Sequence, residues 1–354
     1  MRMRRILMQL AIGEDYHAGS KAMKDCETIL QKKGYSLMNM KHREGKLGII
    51  GKIRNECEYL SFFSLKKDDI FIIQHPQYIG SRYMKWLAAA KKIKKFKTIY
   101  IVHDLESLRK MFIEWADIFE EIDAKMIETA DSMIVHNARM KEYLAIKRGV
   151  SQNKMVNLEV FDYLTDQEPK SAVGERKADI VIAGNLKPEK SGYVYKLLES
   201  FPELSLNLYG VGFPKSWESK AGESYRGAFP ADILPGKLDG RFGLVWDGEE
   251  ISSCAGTTGE YLKYNNPHKV SLYIAAGLPI IIWEKAALAD FVCKNKIGIA
   301  VGNLKNLKTI LGTISEQEYT VMKNNIQKIS EKVRRGDYMG KAIESAEKIL
   351  GKNQ

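Results

Sequence analysis

Short apolar runs alternate with longer amphipathic stretches in the first half of the chain. Four of the runs predict buried strands: Ile6–Ile12, Asp69–Gln74, Thr98–His103 and Ser132–His136. The segments between them, 19–34, 48–63, 80–96 and 112–130, carry apolar residues at helical spacing. Strands and helices that alternate in this way favour right-handed crossovers and a parallel sheet with helices on both faces.

The second half repeats the alternation. Five further runs predict strands: Asp179–Ala183, Leu204–Tyr209, Phe242–Trp246, Pro279–Trp283 and Gly298–Val301. Helical patterns lie near 191–200, 267–276 and 286–295. We therefore expect an α/β fold with two Rossmann-like lobes that face a central cleft, since open α/β sheets bind ligands at the carboxyl ends of their strands.

A polar segment and a terminal stretch set the predicted domain boundaries. Residues 161–177 break the alternation with Asp, Gln, Pro, Ser and Gly, which is typical of a linker. The polar amphipathic stretch 316–350 predicts two helices that separate near Arg335-Gly336-Asp337. The resulting domains are 1–165 and 175–334, with a terminal helix over 335–354 that packs back toward the first lobe.

The charge is concentrated at one end of a chain of otherwise ordinary globular composition. The 354 residues carry a net charge of +11, and the first hundred hold 21 Lys and Arg against 9 Asp and Glu. The remaining residues hold 34 against 35. This asymmetry argues against a nucleic-acid partner, which an evenly basic surface would suit, and indicates one basic face on the N-terminal domain.

Much of the basic excess lies in the helical segment 82–97, where aromatic residues are interleaved with Arg82, Lys85, Lys91, Lys92, Lys94, Lys95 and Lys97. One interpretation is a solvated basic helix whose aromatic residues enter the core. The other is a helix that lies on an anionic membrane, at about 1 kcal/mol for each basic residue near the surface. A lipid-linked glycan acceptor would explain the second.

Targeting and cysteine patterns favour a cytoplasmic protein. The apolar start is interrupted by Glu14-Asp15 with no small-residue cleavage site, so a buried strand is favoured over a signal peptide. No run approaches the ~18–20 apolar residues of a membrane span. Four cysteines, Cys26, Cys57, Cys254 and Cys293, lack CxxC spacing, which predicts reduced, buried thiols and neither a zinc site nor disulfides.

Polar residues follow the predicted strands of the first lobe. The segment from Gly13 to Lys21 has glycines before a helix but does not match the dinucleotide-binding motif GxGxxG. It is either a helix start that binds an anion or an ordinary loop between a strand and a helix. His103-Asp104 directly follows the strand TIYIV, where catalytic residues of α/β enzymes collect. Either side chain can accept a proton from a hydroxyl, although such a pair is also common without a function. His136-Asn137 is a weaker candidate.

The second lobe carries a denser set of such residues. A glycine loop with two lysines, GNLKPEK, covers Gly184, Asn185, Lys187 and Lys190. A turn that begins at Tyr209-Gly210 has an aromatic residue that can stack on a base. Asp247 follows the strand FGLVW. In YNNPHKVSLYIAAGLP, Asn266 is expected as the N-cap and Pro267 as the first helical residue. Lys269 then lies in the first turn beside the positive helix end, which suits a lysine that binds a diphosphate.

These segments resemble a known family. FGLVWDG, YNNPHKVSLYIAAGLPIIIW and GIAV are similar to the C-terminal lobe of bacterial GT-B glycosyltransferases, and DYHAGSKA, DIFIIQHP and IVHDLESLR to their N-terminal lobe. The groups resembled are galactofuranosyltransferases of polysaccharide synthesis and the glucosyltransferase that extends O-glycans on serine-rich adhesins. The resemblance covers most of the chain.

The resemblance implies transfer of a hexose, galactofuranose before glucose, from a UDP-sugar to a glycan hydroxyl, with inversion and with no metal or cofactor. Lys269 matches the family lysine that binds the diphosphate, flanked by Asn266 and His268. Asn185 with Lys187 or Lys190 matches a loop that contacts the nucleotide, with lysine where the family has arginine. Asp104, or else His103, is the expected base, and Gly13, Glu14, Asp15 and His17 are expected to line the acceptor pocket.

The resemblance also suggests a homo-oligomer, and the basic segment 82–97 suggests a place at the inner face of the plasma membrane. Two other functions are weighed against this one. A nucleotide-sugar epimerase is disfavoured because a dinucleotide fingerprint and a YxxxK dyad are missing from suitable places. A non-catalytic protein that binds a nucleotide-sugar and serves another transferase is the remaining alternative.

Overall fold

The computed structural model describes residues 3–10, 18–43, 48–169 and 178–352. The predicted acceptor residues Gly13, Glu14, Asp15 and His17 lie outside these ranges, as does the end of the predicted linker. The described residues form two compact units. The N-terminal unit holds 3–10, 23–43, 48–158 and 339–352, and the C-terminal unit holds 18–22, 159–169 and 178–338.

The N-terminal unit is built on a six-stranded parallel sheet in the order β2-β1-β3-β4-β5-β6. Its strands are β1 (Arg5–Leu10), β2 (Ser36–Met40), β3 (Ile70–His75), β4 (Lys97–Val102), β5 (Ser132–Val135) and β6 (Met155–Asn157). Strands β2 and β6 were not predicted from the sequence. Both are edge strands with partly exposed residues and β6 has three residues, so neither forms an apolar run.

The helices of this half are α1 (Ala18–Lys32), α2 (Ile49–Tyr59), α3 (Arg82–Lys94), α4 (Glu106–Arg109), α5 (Ala116–Thr129) and α6 (Ala138–Arg148). All strands run in one direction, so a helix that follows a strand begins at the carboxyl edge of the sheet and returns toward the amino edge. Ion pairs tie α2 to α3 through Glu56 and Arg82, and α3 to α5 through Lys85 and Glu121.

The C-terminal unit contains a five-stranded parallel sheet in the order β11-β10-β9-β7-β8. The strands are β7 (Ile180–Ala183), β8 (Leu206–Tyr209), β9 (Phe242–Val245), β10 (Ile280–Trp283) and β11 (Gly298–Val301). Its helices are α7 (Pro188–Ser200), α8 (Lys215–Ala221), α9 (Gly256–Tyr261), α10 (His268–Ala275), α11 (Ala289–Lys294) and α12 (Leu307–Thr313). The short α8, α9 and α12 were not predicted, because six or seven residues give too few turns for a helical period.

Tyr273 of α10 joins the two central strands β7 and β9. Its hydroxyl accepts a hydrogen bond from the Ala183 amide at 2.9 Å and donates one to the Leu244 carbonyl at 3.2 Å. The ring lies over Gly243, where a Cβ would come within 2.3 Å of it. Because β7 and β9 flank the point at which strand order reverses, this buried tyrosine holds α10 at the position where open α/β sheets bind ligands.

Two terminal helices follow, α13 (Glu316–Arg335) and α14 (Asp337–Lys352). They separate at Gly336, whose φ of 86° is left-handed, at the break that the sequence predicts. From Met339 onward the chain belongs to the N-terminal unit. There the Glu347 carboxylate accepts two hydrogen bonds from the Arg5 guanidinium, at 2.8 and 2.7 Å, which is a bidentate ion pair.

The prediction of two α/β lobes with parallel sheets is confirmed. The prediction that all cysteines are buried is wrong, because Cys57 and Cys293 lie on exposed helix faces while Cys26 and Cys254 are buried. All four are free thiols. Among the described residues, no helix combines the length and the apolar character that a membrane crossing requires.

Candidate active site

Lys269 lies across the carboxyl ends of β7 and β9. Its Nζ donates hydrogen bonds to the Trp246 carbonyl at 3.1 Å and to Asp247 Oδ1 at 2.6 Å, and both side chains of this ion pair are largely buried. On the other side, a Cβ added at Gly184 would lie 3.2 Å from Lys269 Cε. The lysine that the sequence singled out therefore occupies the switch point of the sheet.

The loops after β7 and β8 touch through their backbones. At Gly210, with a φ of 140°, a Cβ would lie 1.7 Å from the Gly184 carbonyl oxygen, so only glycine fits. Asn185 Oδ1 accepts a hydrogen bond from the Lys187 amide at 3.0 Å, which shapes the loop that carries Lys187. The fold thus brings Gly184, Asn185 and Gly210 together beside Lys269.

The loops after β7 and β9 are also joined. The Lys190 carbonyl accepts a hydrogen bond from the Gly248 amide at 3.2 Å. This contact brings the backbone of the second predicted lysine next to Asp247, the partner of Lys269. No role was predicted for Asp247 from the sequence, although its place directly after the apolar run FGLVW marks it as a residue at a strand end.

The start of α10 differs from the prediction. Pro267 is the N-cap and His268 the first helical residue, so the expected N-cap role of Asn266 is wrong. Asn266 is buried, and its side-chain amide donates to the Glu159 carbonyl at 3.1 Å. The side chain hydrogen-bonds a buried backbone carbonyl instead of capping the helix. An unpaired buried acceptor costs more free energy than a missing N-cap hydrogen bond.

His268 and Tyr209 are packed against other side chains. The His268 ring stacks on Tyr163 with centroids 5.0 Å apart, and burial lowers the pKa of His268 to about 4. It is therefore neutral at pH 7 and adds no positive charge. Tyr209 is 3% exposed and its hydroxyl donates to the Lys237 carbonyl, so the expectation that its ring stacks on a base is wrong.

In the N-terminal unit, His103 and Gln74 meet at the carboxyl ends of β4 and β3. His103 Nε2 lies 2.8 Å from Gln74 Oε1, and the Gln74 amide donates to the Met23 carbonyl at 3.2 Å. The predicted site residue His103 is thus fixed next to a strand end by a polar chain. Gln74 was not selected from the sequence, although it ends the apolar run DIFII.

Asp104 belongs to a second polar chain at the same edge. Arg109 Nη1 donates to Asp104 Oδ2 at 2.8 Å and to Glu106 Oε1 at 3.0 Å. The Tyr78 hydroxyl also donates to Glu106 Oε1, at 2.7 Å. The guanidinium fixes the orientation of the carboxylate that the sequence selected as a base. Among the described residues, no three His, Cys, Asp or Glu side chains are grouped as metal ligands.

The weaker candidates His136 and Asn137 support the fold. Burial lowers the pKa of His136 to about 4, so the imidazole is neutral at pH 7. The Asn137 side chain caps α6 by accepting hydrogen bonds from the amides of Arg139 and Met140, at 2.9 and 3.1 Å. The contacts of both side chains therefore indicate structural roles.

Three of the basic residues in segment 82–97 have acidic partners. Arg82 pairs with Glu56, Lys85 with Glu121, and Lys91 with Asp131. Lys91 is partly buried, and burial lowers its pKa. Tyr83 and Phe96 are in the core. Membrane binding by this helix stays a prediction, and Lys92 and Lys95 are exposed cations on its surface.

Comparisons with known proteins bear on both units. Residues 5–160 match the family described as "Glucosyltransferase 3-like, N-terminal domain", and residues 180–346 match its C-terminal domain. Beta-1,6-galactofuranosyltransferase WbbI of Escherichia coli K12 is 32% identical over 92% of this chain and 93% of its own length. Glucosyltransferase 3 of Streptococcus gordonii is 26% identical, with 78% of each chain covered.

Among solved structures, Anabaena HepE in complex with UDP superposes with a TM-score of 0.61 at 13% identity, covering 98% of this chain and 100% of that one. At that identity the likeness concerns the fold alone. Together, the two parallel-sheet units and these relatives define a glycosyltransferase of the GT-B class. Within that class, the chain belongs to the glucosyltransferase 3-like family.

Proposed function

We propose that this protein transfers a hexose from a UDP-sugar to a hydroxyl of a glycan acceptor. Galactofuranose is the first choice of sugar and glucose the second. This order follows the sequence identity of the two relatives, which is 32% for the galactofuranosyltransferase and 26% for the glucosyltransferase. UDP is the proposed carrier because HepE, which has the same fold, binds it. Synthesis of a cell-surface polysaccharide or glycoprotein is the corresponding process.

The position of Lys269 carries the proposal. Two of its three N–H donors have partners among the described residues, Trp246 and Asp247, and the third is available for a diphosphate oxygen. Lys269 also lies in the first turn of α10, beside amides that favour an anion. A fixed cation at this point stabilises the charge that develops on the departing UDP, which removes the need for a metal ion.

The acceptor hydroxyl oxygen attacks the anomeric carbon, the bond from that carbon to the diphosphate oxygen breaks, and UDP leaves. Direct displacement of this kind inverts the anomeric centre and needs one base for the hydroxyl proton. Asp104, oriented by Arg109, is the proposed base, with His103 as the second candidate. The N-terminal unit then binds the acceptor and the C-terminal unit the donor.

A panel of UDP-sugars tests the proposal. Purified protein is incubated with UDP-galactofuranose, UDP-galactopyranose, UDP-glucose and UDP-N-acetylglucosamine, each with a series of glycan acceptors. UDP release is measured with and without EDTA. Acceptor-dependent release from UDP-galactofuranose is expected. UDP binding without turnover on any donor would contradict transfer, and release that stops in EDTA would contradict metal independence.

A further inference from the structure

The exposed aromatic side chains of the described residues lie in one place. Tyr78, Phe112 and Trp115, called the aromatic cluster below, are 46%, 42% and 54% exposed, whereas every other Phe, Tyr or Trp in the described ranges is buried or partly buried. Tyr78 follows β3, and Phe112 and Trp115 lie between α4 and α5. Since β3 and β4 run in parallel, both segments lie at the carboxyl edge of the N-terminal sheet. Exposed rings that gather in this way mark a surface that binds another molecule.

Tyr78 is held in a strained conformation. Its φ of 47° is left-handed, a region that a bulky side chain rarely adopts. Its ring packs against Phe112 and Phe119 with centroids 6.2 and 5.9 Å apart, and Phe119 is buried on α5. The Tyr78 hydroxyl donates a hydrogen bond to Glu106 Oε1 at 2.7 Å. These contacts fix an exposed ring in place, and residues strained in this way cluster at ligand sites.

The turn that carries the other two rings is acidic, which limits the kind of ligand. The Trp115 amide donates a hydrogen bond to the Phe112 carbonyl at 3.0 Å and closes this turn. Residues 110–120 expose one lysine and three carboxylates, those of Glu114, Asp117 and Glu120. Like charges brought face to face cost free energy, so an anionic ligand or surface is disfavoured. The aromatic cluster therefore suits an uncharged ligand.

Hydrogen-bonding side chains adjoin the Tyr78 ring. The Glu106 oxygen that accepts from Tyr78 also accepts from Arg109 Nη1 at 3.0 Å, and Arg109 Nη1 donates to Asp104 Oδ2 at 2.8 Å. The ring is thus connected to the proposed base through two side chains. A sugar ring complements this arrangement. Its C–H groups carry a small positive charge that favours the negative face of an aromatic ring, and its hydroxyls hydrogen-bond to carboxylates and guanidinium groups.

We infer that the aromatic cluster is a subsite that binds a hexopyranose ring of the glycan acceptor through the C–H face of that ring. The inference rests on the proposed function and deepens it, because it assigns residues of the N-terminal unit to the acceptor. Tyr and Trp contribute large contact areas and have only two side-chain torsions to fix, so they bind at a low cost in conformational entropy. A sugar bound on Tyr78 lies beside Asp104, the proposed base.

Saturation-transfer NMR with soluble glycosides tests the inference. The full chain, saturated with UDP, is mixed with methyl β-glucopyranoside, methyl β-galactopyranoside or the methyl β-glycoside of N-acetylglucosamine. Wild type is expected to transfer saturation to the ring protons of at least one of them. Tyr78→Ala and Trp115→Ala are each expected to weaken that binding about tenfold, because an aromatic contact is lost. Tyr78→Phe keeps the ring and is expected to bind the glycoside as wild type does.

Ile93→Ala/Ile146→Ala is the matched control. Both isoleucines are at least as exposed as the aromatic residues, at 65% and 67%, but they lie near the ends of α3 and α6, which return to the amino edge of the sheet. This variant is expected to bind the glycosides as wild type does. The thermal midpoint of each variant verifies its fold, and Trp115→Ala remains a test if Tyr78→Ala is unfolded.

Kinetics separate binding from catalysis. With the acceptor found in the donor panel, Trp115→Ala is expected to raise the KM for the acceptor about tenfold while kcat and UDP affinity stay unchanged, since the lost contact binds substrate and transition state alike. A fall in kcat at an unchanged acceptor KM would overturn the inference.

Three NMR and solution results would also overturn it: no saturation transfer from wild type to any of the glycosides, equal transfer from the alanine variants, or a wild-type oligomer that becomes a monomer in Trp115→Ala while glycoside binding persists. UDP affinity is measured in parallel by calorimetry. Failure of wild type to bind UDP would count against the proposed function, whereas glycoside binding that depends on Tyr78 and Trp115 would still support the subsite.

Discussion

Lys269 donates a hydrogen bond of 2.6 Å to the carboxylate of Asp247 at the switch point between β7 and β9 of the C-terminal sheet. The pair fixes the ammonium group before any anion arrives. A preorganised cation of this kind stabilises developing charge without reorganisation at the moment of reaction. If Lys269 binds the diphosphate as proposed, Asp247 is its positioning residue.

Lys269→Ala is expected to weaken UDP binding about 30-fold, because a charge-assisted hydrogen bond contributes about 2 kcal/mol. Isothermal titration calorimetry with UDP measures this. Lys308→Ala is the matched control: Lys308 also pairs with an aspartate, Asp179, but at the amino edge of the same sheet, and its loss should leave UDP affinity unchanged. Equal affinities of wild type and Lys269→Ala would refute the diphosphate role.

Gly243→Ala is expected to destabilise the C-terminal unit by about 1–3 kcal/mol, since the new methyl group would overlap the Tyr273 ring. Urea unfolding measures the change in free energy. The control is Gly312→Ala in α12, where no atom lies within 4 Å of the added Cβ. That substitution should stabilise the helix by up to about 1 kcal/mol. A destabilisation of equal size at both positions would contradict the packing argument.

Asp104→Asn is expected to lower kcat by about 10²–10⁴-fold while UDP affinity stays unchanged, because the amide cannot accept the hydroxyl proton. Initial rates with the donor and acceptor found in the panel measure kcat. Asp117→Asn, at an exposed position of α5 in the same unit, controls for the loss of one negative charge. Full activity of Asp104→Asn would exclude Asp104 as the base. His103 would then be the remaining candidate, and His103→Gln tests it.

Stability is expected to decrease between about pH 6.5 and pH 4. Burial lowers the pKa of His136 to about 4, whereas in the unfolded chain it is about 6.5. Over this range the unfolded chain binds a proton at His136 that the folded chain does not. The contribution of His136 to the free energy of unfolding is therefore complete above pH 6.5 and falls by up to about 3 kcal/mol as the pH is lowered.

Urea unfolding at several pH values, for wild type and His136→Asn, measures this dependence. The variant lacks one of the two buried histidines with lowered pKa and should lose less stability on acidification than wild type, with His268 still contributing in the same direction. Comparison at pH 8, where both rings are neutral, isolates the cost of the substitution itself. Parallel pH profiles would contradict the assignment.

The strand-ending residues were predictable because the signal is local. A continuous apolar run such as FGLVW or TIYIV indicates a buried parallel strand, and whatever follows it lies at the carboxyl edge. Asn185, His103 and Asp104 were selected on this ground from the chain alone, whereas Lys269 was selected by its place in the first turn of a predicted helix. The family resemblance, also visible in the sequence, supplied the chemical class.

Other features depended on contacts between residues distant in the sequence. Asn266 has the composition of an N-cap, yet it donates to the carbonyl of Glu159, more than a hundred residues earlier. Tyr209 follows an apolar strand like a ligand-stacking aromatic residue, yet its ring is buried and its hydroxyl donates a hydrogen bond to the backbone carbonyl of Lys237. Local pattern gives no information about such partners, so these two roles were predicted wrongly.

The sequence by itself determined the two α/β units, the parallel sheets and the position of the basic excess, because periodicity and composition act over a few neighbouring residues. Only the tertiary structure decided which side chains meet: the pairing of Lys269 with Asp247, the fit of Tyr273 over Gly243, and the outward turn of the isoleucines of α2, all three of which are exposed. The last case shows the physical reason. Periodicity reveals that a helix has an apolar face, but the packing of its neighbours decides which way that face points.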